Sequence, residues 1–273
     1  MNSEIFSSHE QVFFEGGLGS QLLALIEYQA KNKIFGRSVF ADTSYFHTSQ
    51  QEQGSLNLKR PWRITAYGYP IDYFLRENTQ ASTFASTNLS RVTVKEHAQF
   101  LLENDVFSTL NPNEITFPYN HLGNSVKTLI SKQEEFGAIH LRRGDFRKVA
   151  SHLVSLTEVI DKLRELKDIL PPLSFLFTDS KFNLVNRARI KALFKGLRKE
   201  LQIVDDDRFN DIEIHSIMRK SCFLMVGNST FSYSAALLNR RPDANIYVPK
   251  VFNSDEASAM NAVYASVTKF SVY

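Results

Sequence analysis

Short apolar runs alternate with amphipathic segments throughout the second half of the chain. The apolar runs predict strands at residues 136–141, 173–177, 201–204, 222–226 and 246–248. The segments after them predict helices near residues 156–169, 183–198, 211–220, 231–239 and 255–267. Repeated strand–helix units of this kind predict a parallel sheet that is covered by helices on both faces.

The first half of the chain begins in the same way. An apolar run at residues 12–14 leads into the glycine-rich residues 16–19 and then into leucines at helical spacing, which predicts a strand, a tight turn and a helix. Residues 38–42 predict a second strand, and the pattern is irregular after them. We therefore predict the fold class α/β, with two Rossmann-like domains, residues 1–132 and 133–273, that face each other across a cleft.

Composition limits the classes of function that fit this chain. Of its 273 residues, 43% are hydrophobic, which is enough for a sizeable core. The net charge of +3 is too small to indicate binding to nucleic acid or to a membrane surface. The single cysteine, Cys222, excludes an internal disulfide and favours a reducing compartment. We expect a cytoplasmic protein without a secretory signal or a membrane-spanning helix, because the chain has no long apolar run.

The most informative motif follows the strand predicted at residues 136–141. The sequence HLRRGDF at residues 140–146 places Arg142 and Arg143 where that strand ends. Strand ends in open α/β sheets bind ligands, and paired guanidinium groups there fit an anion such as the pyrophosphate of a sugar nucleotide. The alternative is a strand end with solvated arginines and a helix-capping Asp145.

Two other loops join a predicted strand to a predicted helix. The sequence GGLGSQ at residues 16–21 would let the backbone approach a ligand closely, although an ordinary turn also fits it. The sequence GNSTFS at residues 227–232 offers three hydroxyl groups and an amide at a helix start, which suits a phosphate. Simple N-capping by Ser229 or Thr230 is the alternative.

Acidic residues provide two further candidates. Asp179 follows the strand predicted at residues 173–177, where it either stabilises its loop or helps to form a nucleotide pocket. The run of aspartates at residues 205–207 has a spacing that could hold a divalent metal on a sugar diphosphate, and a solvated turn is the alternative. The histidines at 47, 97, 121 and 215 show no metal-binding spacing.

Together these motifs resemble the α-1,2-fucosyltransferase family, glycosyltransferase family 11. The GGLGSQ sequence is similar to the family's GGLGNQ, HLRRGDF to HxRRGDY, NSTFS to NSTFSWW, and FTDS at residues 177–180 to FSDD. The motifs occur in the family's order and span nearly the whole chain. The resemblance implies a GT-B fold, and an inverting enzyme that transfers L-fucose from GDP-fucose without a metal or other cofactor.

The resemblance also implies roles for individual residues. His140 and Arg142 would contact the donor phosphate and fucose, with Arg142 stabilising the leaving group, while Arg143 and Asp145 would brace that loop. The N-terminal half would mainly hold the acceptor and the C-terminal half the donor. The residues expected to bind the donor are Gly16, Gly17, Gly19, His140, Arg142, Arg143, Asp145, Asp179, Glu213, Asn228, Ser229 and Thr230.

Departures from the family pattern bear on the base and on guanine recognition. Ser20 replaces Asn, Tyr233-Ser234 replaces Trp-Trp, and Ile214 stands where the family has an acid, so that Glu213 or Asp211 would substitute for it. His152 is the candidate general base because an imidazole works near neutral pH.

We expect the acceptor to be an oligosaccharide or a lipid-linked glycan with a terminal galactose or related sugar, fucosylated at O2. The absence of a long apolar run fits bacterial surface-polysaccharide assembly, with peripheral contact at the inner membrane. Two other functions stay open. A metal-dependent glycosyltransferase for another nucleotide sugar would use residues 205–207, and a catalytically inactive nucleotide- or glycan-binding protein would bind GDP without turnover.

Overall fold

A computed structural model gives the architecture of the chain. The residues that it describes are 11–36, 39–46, 61–78, 94–106, 111, 113–132, 135–143, 154–249, 262–263, 265–267 and 269–273. The chain separates into two compact units, Met1–Thr116 and Phe117–Tyr273. The predicted division into Rossmann-like domains at residues 1–132, mainly for the acceptor, and 133–273, for the donor, stays a prediction.

The first unit contains the predicted strand, glycine-rich turn and helix. Strand β1 (Gln11–Phe13) pairs in parallel with β2 (Phe40–Asp42), and helix α1 (Leu18–Phe35) connects them. Gly36 ends α1 in the left-handed conformation, with a φ of 61° that favours glycine. Helices α2 (Ile71–Asn78) and α3 (Val94–Glu103) follow.

Aromatic packing accounts for much of the core of this first unit. The Phe14 ring lies 4.7 Å from the Phe74 ring and 5.6 Å from the Trp62 ring, measured between centroids. Phe74 is also in edge contact with Tyr28 at 5.3 Å. These contacts join segments that lie far apart along the chain, so no single local pattern in the sequence records this core.

The second unit is built on one parallel sheet. Its strands are β3 (Phe136–Leu141), β4 (Leu173–Thr178), β5 (Glu200–Val204), β6 (Phe223–Met225), β7 (Asn245–Val248) and β8 (Phe270–Val272). Their order is β5-β4-β3-β6-β7-β8, and each adjacent pair is parallel. The α/β class with parallel sheets is therefore confirmed, and β8 is an element that the sequence did not predict.

Helices precede and connect these strands. They are α4 (Asn124–Ser131), α5 (Leu156–Glu165), α6 (Leu184–Gly196), α7 (Asp211–Lys220) and α8 (Thr230–Leu237). Helices α5 and α6 pack against each other, as do α7 and α8, and α4 packs against α7. Right-handed crossovers place α5 and α6 on one face of the sheet and α7 and α8 on the other. Most of the helix predicted at residues 255–267 lies outside the described residues.

Local sequence signals explain where these helices begin. The side chain of Ser155 accepts a hydrogen bond from the backbone N–H of Glu158 at 3.1 Å, and the Glu158 carboxylate accepts one from the backbone N–H of Ser155 at 2.8 Å. This pair is a capping box, and a serine followed three residues later by a glutamate is its typical sequence. The two prolines at residues 171–172 then separate the end of α5 from β4.

Strand order creates a topological switch point in the second unit. From the central strand β3 the chain moves outward through β4 to β5, and it then returns to β6 on the other side of β3. The connections that leave β3 and β6 therefore run to opposite faces of the sheet. Ligands of open α/β sheets bind in the crevice that this divergence leaves at the carboxyl ends of the strands.

Candidate active site

Three adjacent strands bring the predicted polar residues to one edge of the second unit. Arg142 and Arg143 follow β3, Asp179 follows β4, and Asn228 lies in the loop between β6 and α8. Because β4, β3 and β6 are neighbours and parallel, their carboxyl ends share this edge. The loops with the predicted pyrophosphate-binding residues thus meet at the switch point.

Asp179 holds the arginine loop through both carboxylate oxygens. Its Oδ2 lies 3.1 Å from Nε of Arg142, and its Oδ1 accepts a hydrogen bond from the backbone N–H of Arg143 at 2.6 Å. The side chains of Arg142 and Asp179 are 26% and 23% exposed, so solvent screens the pair only in part. Partly exposed ion pairs of this kind contribute little to stability, and positioning of Arg142 is their main effect.

Arg143 is oriented by an aromatic ring. Its guanidinium carbon lies 5.6 Å from the centroid of Phe182, a cation–π distance. The backbone N–H of Phe182 in turn donates a hydrogen bond to Asp205 at 3.1 Å. These contacts suit the bracing role that the resemblance implies for Arg143, which stays a prediction.

His140 connects β3 to the first turn of α8. The residue is buried, and its Nδ1 lies 2.9 Å from the hydroxyl of Ser232. The same hydroxyl lies 3.2 Å from the carbonyl oxygens of Gly227 and of Ser229, and it donates a hydrogen bond to one of them. The sequence counted this hydroxyl among the three that suit a phosphate, and it did not reveal the contact with His140, which lies 92 residues away along the chain.

Gly227 is fixed by the close approach of β3. A Cβ atom at this position would lie 2.5 Å from the carbonyl oxygen of His140 and 2.9 Å from its Nδ1. Side chains do not approach a backbone oxygen so closely, so the loop can lie against β3 only with glycine here. The glycine was part of the predicted motif, and the structure supplies its reason.

Helix α8 starts at this loop with a side-chain cap. Ser229 is the N-cap residue, and its hydroxyl accepts a hydrogen bond from the backbone N–H of Phe231 at 3.3 Å. The capping alternative thus describes a contact that Ser229 makes. Asn228 is buried and Thr230 is exposed beside it. Pyrophosphate binding by these three residues stays a prediction, and a helix N-terminus at the switch point is compatible with it.

Two buried imidazoles flank the ring of Phe231. The centroid of the ring lies 5.7 Å from that of His140 and 5.5 Å from that of His215. The Nε2 atom of His215 lies 3.1 Å from the hydroxyl of Ser234. Burial, with a further contribution from Arg142, lowers the pKa of His140 to about 4. Burial is the main cause of a pKa of His215 well below its usual value, and the positive charge of Arg219 lowers that pKa further.

Stability is expected to fall as the pH drops from about 6.5 toward 4, because the unfolded chain binds protons on these histidines before the folded chain does. For His140 alone the loss amounts to roughly 3 kcal/mol by pH 4, and His215 adds to it in the same direction. Urea unfolding at several pH values measures this slope, and the NMR resonances of the imidazoles report each group separately. Titration of His140 near pH 6.5 in the folded protein would contradict the assignment.

Glu213 uses both of its carboxylate oxygens within the second unit. Oε2 accepts a hydrogen bond from the backbone N–H of Asn210 at 2.9 Å, and Asn210 caps α7 in return at 3.0 Å. Oε1 accepts a hydrogen bond from the backbone N–H of Gly123 at 2.9 Å, which ties α7 to the start of α4. These contacts are those of a helix-capping box, and guanine recognition by Glu213 or Asp211 stays a prediction.

The glycine-rich loop of the first unit is held by a glutamine. Gln21 is fully buried, and its Nε2 donates hydrogen bonds to the carbonyl oxygens of Gly16 and Pro61, both at 2.9 Å. Its Oε1 accepts a hydrogen bond from the backbone N–H of Arg63 at 2.8 Å. Gln21 thus anchors the loop to residues 61–63, a role that the motif alone did not reveal.

The predicted glycines of this loop differ in what requires them. Gly16 has a φ of 71°, a left-handed conformation that favours glycine. A Cβ at Gly17, the N-cap of α1, would meet nothing within 4 Å, so packing does not require glycine there. Gly19 is buried in the first turn of α1. Donor binding by the three glycines stays a prediction.

The aspartates at 205 and 206 are each engaged by an arginine. Asp205 pairs with Arg187, and Asp206 accepts from Nε and Nη2 of Arg208, each at 2.8 Å. The contact with Arg208 lowers the pKa of Asp206 to about 2. Among the residues that the structure describes, no three His, Cys, Asp or Glu side chains are grouped so that they could hold a metal ion. Asp205 and Asp206 thus make the contacts of ion pairs with arginine, and the metal-dependent alternative stays a prediction.

The structure does not describe two of the predicted site residues. Asp145 and His152 lie outside the described residues, so bracing by Asp145 and base catalysis by His152 stay predictions.

Within the described ranges, no helix has the length and apolar character needed to cross a membrane.

Comparisons with known proteins give a distant structural likeness. No protein-family model and no curated protein matches the chain. It is similar to POFUT1 in complex with GDP, at 14% identity and a TM-score of 0.35 over 49% of this chain and 47% of that one. The values for POFUT1 in complex with GDP-fucose are 15% identity and a TM-score of 0.34, over 49% and 44%.

A third similar structure is the apo form of POFUT1. Its identity is 12% and its TM-score 0.44, over 86% of this chain and 96% of that one. The alignments with the two ligand complexes span less than half of the length of those chains. All three TM-scores lie below 0.5, so the proposals that follow rest on the residues of this chain.

Proposed function

We propose that this chain is an inverting fucosyltransferase that uses GDP-fucose as its donor and a glycan hydroxyl as its acceptor. The observation that carries the proposal is the meeting of the β3 and β6 loops at the switch point, where Arg142, held by Asp179, shares an edge with the start of α8. This edge combines a fixed guanidinium group with a helix N-terminus, both of which favour a phosphate group. The motif resemblance supplies the identity of the sugar and the base.

The reaction assigns Arg142 to the leaving group. The acceptor oxygen attacks C1 of fucose from the face opposite GDP, and the bond between C1 and the β-phosphate oxygen breaks. Negative charge then develops on the β-phosphate, and a preorganised guanidinium stabilises it more than water would. Asp179 restricts the motion of Arg142 before the donor binds, because it contacts both the side chain and the following backbone.

His140 takes part as a neutral group. Because its pKa is about 4, its imidazole is uncharged at neutral pH and contributes a hydrogen bond rather than a charge. The proton of the acceptor hydroxyl therefore goes to another residue, and His152 is the base that we propose. The acceptor that we propose is a terminal galactose or related sugar, attacked through O2.

Calorimetry with GDP, GDP-fucose and UDP in the presence of EDTA tests the donor. We expect both guanine nucleotides to bind without metal and UDP to bind more weakly. Binding restored only by a divalent cation would overturn the proposal in favour of a metal-dependent glycosyltransferase. No binding under either condition would overturn the assignment of the donor.

Turnover separates an enzyme from a binding protein. The same sample is incubated with GDP-fucose and galactose-terminated oligosaccharides, and released GDP and fucosylated product are measured. We expect both products in equal amounts. Tight binding of GDP-fucose with neither transfer nor hydrolysis across a panel of acceptors would support the catalytically inactive alternative instead.

A further inference from the structure

Helix α6 and its flanks carry an unusual concentration of positive charge. Residues 181–199 contain seven basic residues and no acidic one, whereas the whole chain has a net charge of +3. The basic residues are Lys181, Arg187, Arg189, Lys191, Lys195, Arg198 and Lys199. The positive charge of the chain is therefore concentrated in this segment, which favours an anionic partner there.

Large apolar side chains are exposed within the same surface. Leu184 is 84% exposed and Val185 is 67% exposed, the two highest values among the exposed large hydrophobic residues of the described ranges. Adjacent exposed aliphatic side chains at the start of a helix are costly in water unless something covers them. On the opposite side of the helix, Ile190 and Phe194 are buried in the core with α5.

The charges and the apolar pair share the outward side of α6. Lys191 and Lys195 are exposed, and they lie seven and eleven residues after Leu184, which is the spacing of one helical stripe. Arg187 and Arg189 lie on the same segment but have partners within the protein, since Arg187 pairs with Asp205 and Arg189 contacts Thr157 at 3.3 Å. Lys191 and Lys195 are the exposed cations that lie on the same stripe of α6 as Leu184.

We propose that this outward side of α6, defined by Leu184, Val185, Lys191 and Lys195, docks on an anionic lipid bilayer. Exposed aliphatic side chains beside lysines suit the membrane interface, because the apolar groups can enter the acyl boundary while the cations meet phosphate groups. A nucleic acid would match the cations alone and would leave Leu184 and Val185 in water. An anionic bilayer would bind the lysines and would also cover the exposed aliphatic side chains.

The position of α6 connects this surface to the switch-point edge. The helix begins after the β4 loop, so its N-terminal end lies at the edge where the strands end. The ring centroid of Phe182, two residues before Leu184, lies 5.6 Å from the guanidinium carbon of Arg143. Docking would thus bring the arginine loop close to the lipid headgroups. The proposal does not depend on the identity of the nucleotide or the sugar.

Vesicle co-sedimentation tests the docking surface. The purified chain is mixed with phosphatidylcholine vesicles and with vesicles in which about a third of the lipid is phosphatidylglycerol, at low salt. We expect binding to the anionic vesicles and none to the neutral ones. The variant K191E/K195E should bind at least about 25-fold more weakly, at about fivefold for each cation.

A matched variant separates this surface from general charge. K127E/K132E makes the same change of charge on α4, which packs against α7 on the other face of the sheet. We expect it to bind anionic vesicles nearly as the unmodified chain does. Leu184→Ser with Val185→Ser should keep binding at low salt and lose most of it when salt is raised.

Three outcomes would overturn the proposal. They are no binding to anionic vesicles, equal losses in the α4 and α6 variants, and binding of a double-stranded oligonucleotide through α6 without binding of vesicles. Circular dichroism and thermal unfolding establish that each variant is folded, so a loss of binding reports the surface itself.

Discussion

Replacing Arg142 by alanine is expected to lower fucosyl transfer by about 100- to 1000-fold while the protein stays folded. The guanidinium group is the positive charge that Asp179 fixes at the switch point, with Nε 3.1 Å from Oδ2. Its removal takes away a preorganised partner for the charge that develops on the β-phosphate. Because that charge grows as the bond to fucose breaks, the maximal rate should fall more than the affinity for GDP-fucose.

A surface pair of the same chemistry provides the control. Arg208 and Asp206 make a two-hydrogen-bond ion pair at 2.8 Å, and both side chains are 46% exposed. Arg208→Ala should leave transfer unchanged. Steady-state rates and calorimetric affinities are compared for both variants, with unfolding curves as the check on folding. Activity of the folded Arg142→Ala protein at the level of the unmodified chain would remove Arg142 from the site.

Asp179 should behave as a positioning residue in the same assay. Asp179→Asn keeps an oxygen that can accept from the backbone N–H of Arg143 but removes the charge beside Arg142. We expect a smaller loss than for Arg142→Ala, and little further loss when the two changes are combined, because both act through one guanidinium.

The sheet of the second unit was predictable because its strands are local events in the sequence. All six residues of β3 are buried, and His140 alone interrupts a run of apolar residues and glycine that polar residues flank. Strand β8 left no such trace, because it has only three residues and only Phe270 of them is buried. Its pairing with β7 is a tertiary contact that no local pattern records.

In the candidate site, too, local features were predictable from the sequence and tertiary contacts were not. Arg142, Asp179 and Ser229 could be placed at strand ends from the sequence, since a strand end is a local feature. The partners of these residues could not, because contacts such as Asp179 with Arg143 depend on the strand order. Glu213 shows the opposite case, in which a residue assigned to a ligand has both carboxylate oxygens engaged by backbone N–H groups.

Replacing Gly227 by alanine is expected to destabilise the protein by about 1–3 kcal/mol and to weaken donor binding further. The added Cβ would lie 2.5 Å from the carbonyl oxygen of His140, and this atom belongs to β3 backbone in the centre of the sheet. Such an atom cannot rotate away as a flexible side chain would, so the loop must move. That movement would also separate Ser232 from His140, which now approach to 2.9 Å.

Gly196 offers a matched glycine for this experiment. A Cβ there would meet nothing within 4 Å, and the residue ends α6, so Gly196→Ala should be neutral or up to about 1 kcal/mol more stable. Urea unfolding gives the free energy of unfolding of both variants, and calorimetry with GDP gives binding under conditions where each is folded. If Gly227→Ala were as stable as Gly196→Ala, the loop would have space for the added Cβ. The close approach of the His140 carbonyl oxygen predicts that it has none. The switch-point geometry derived from Gly227 and His140 would then be wrong.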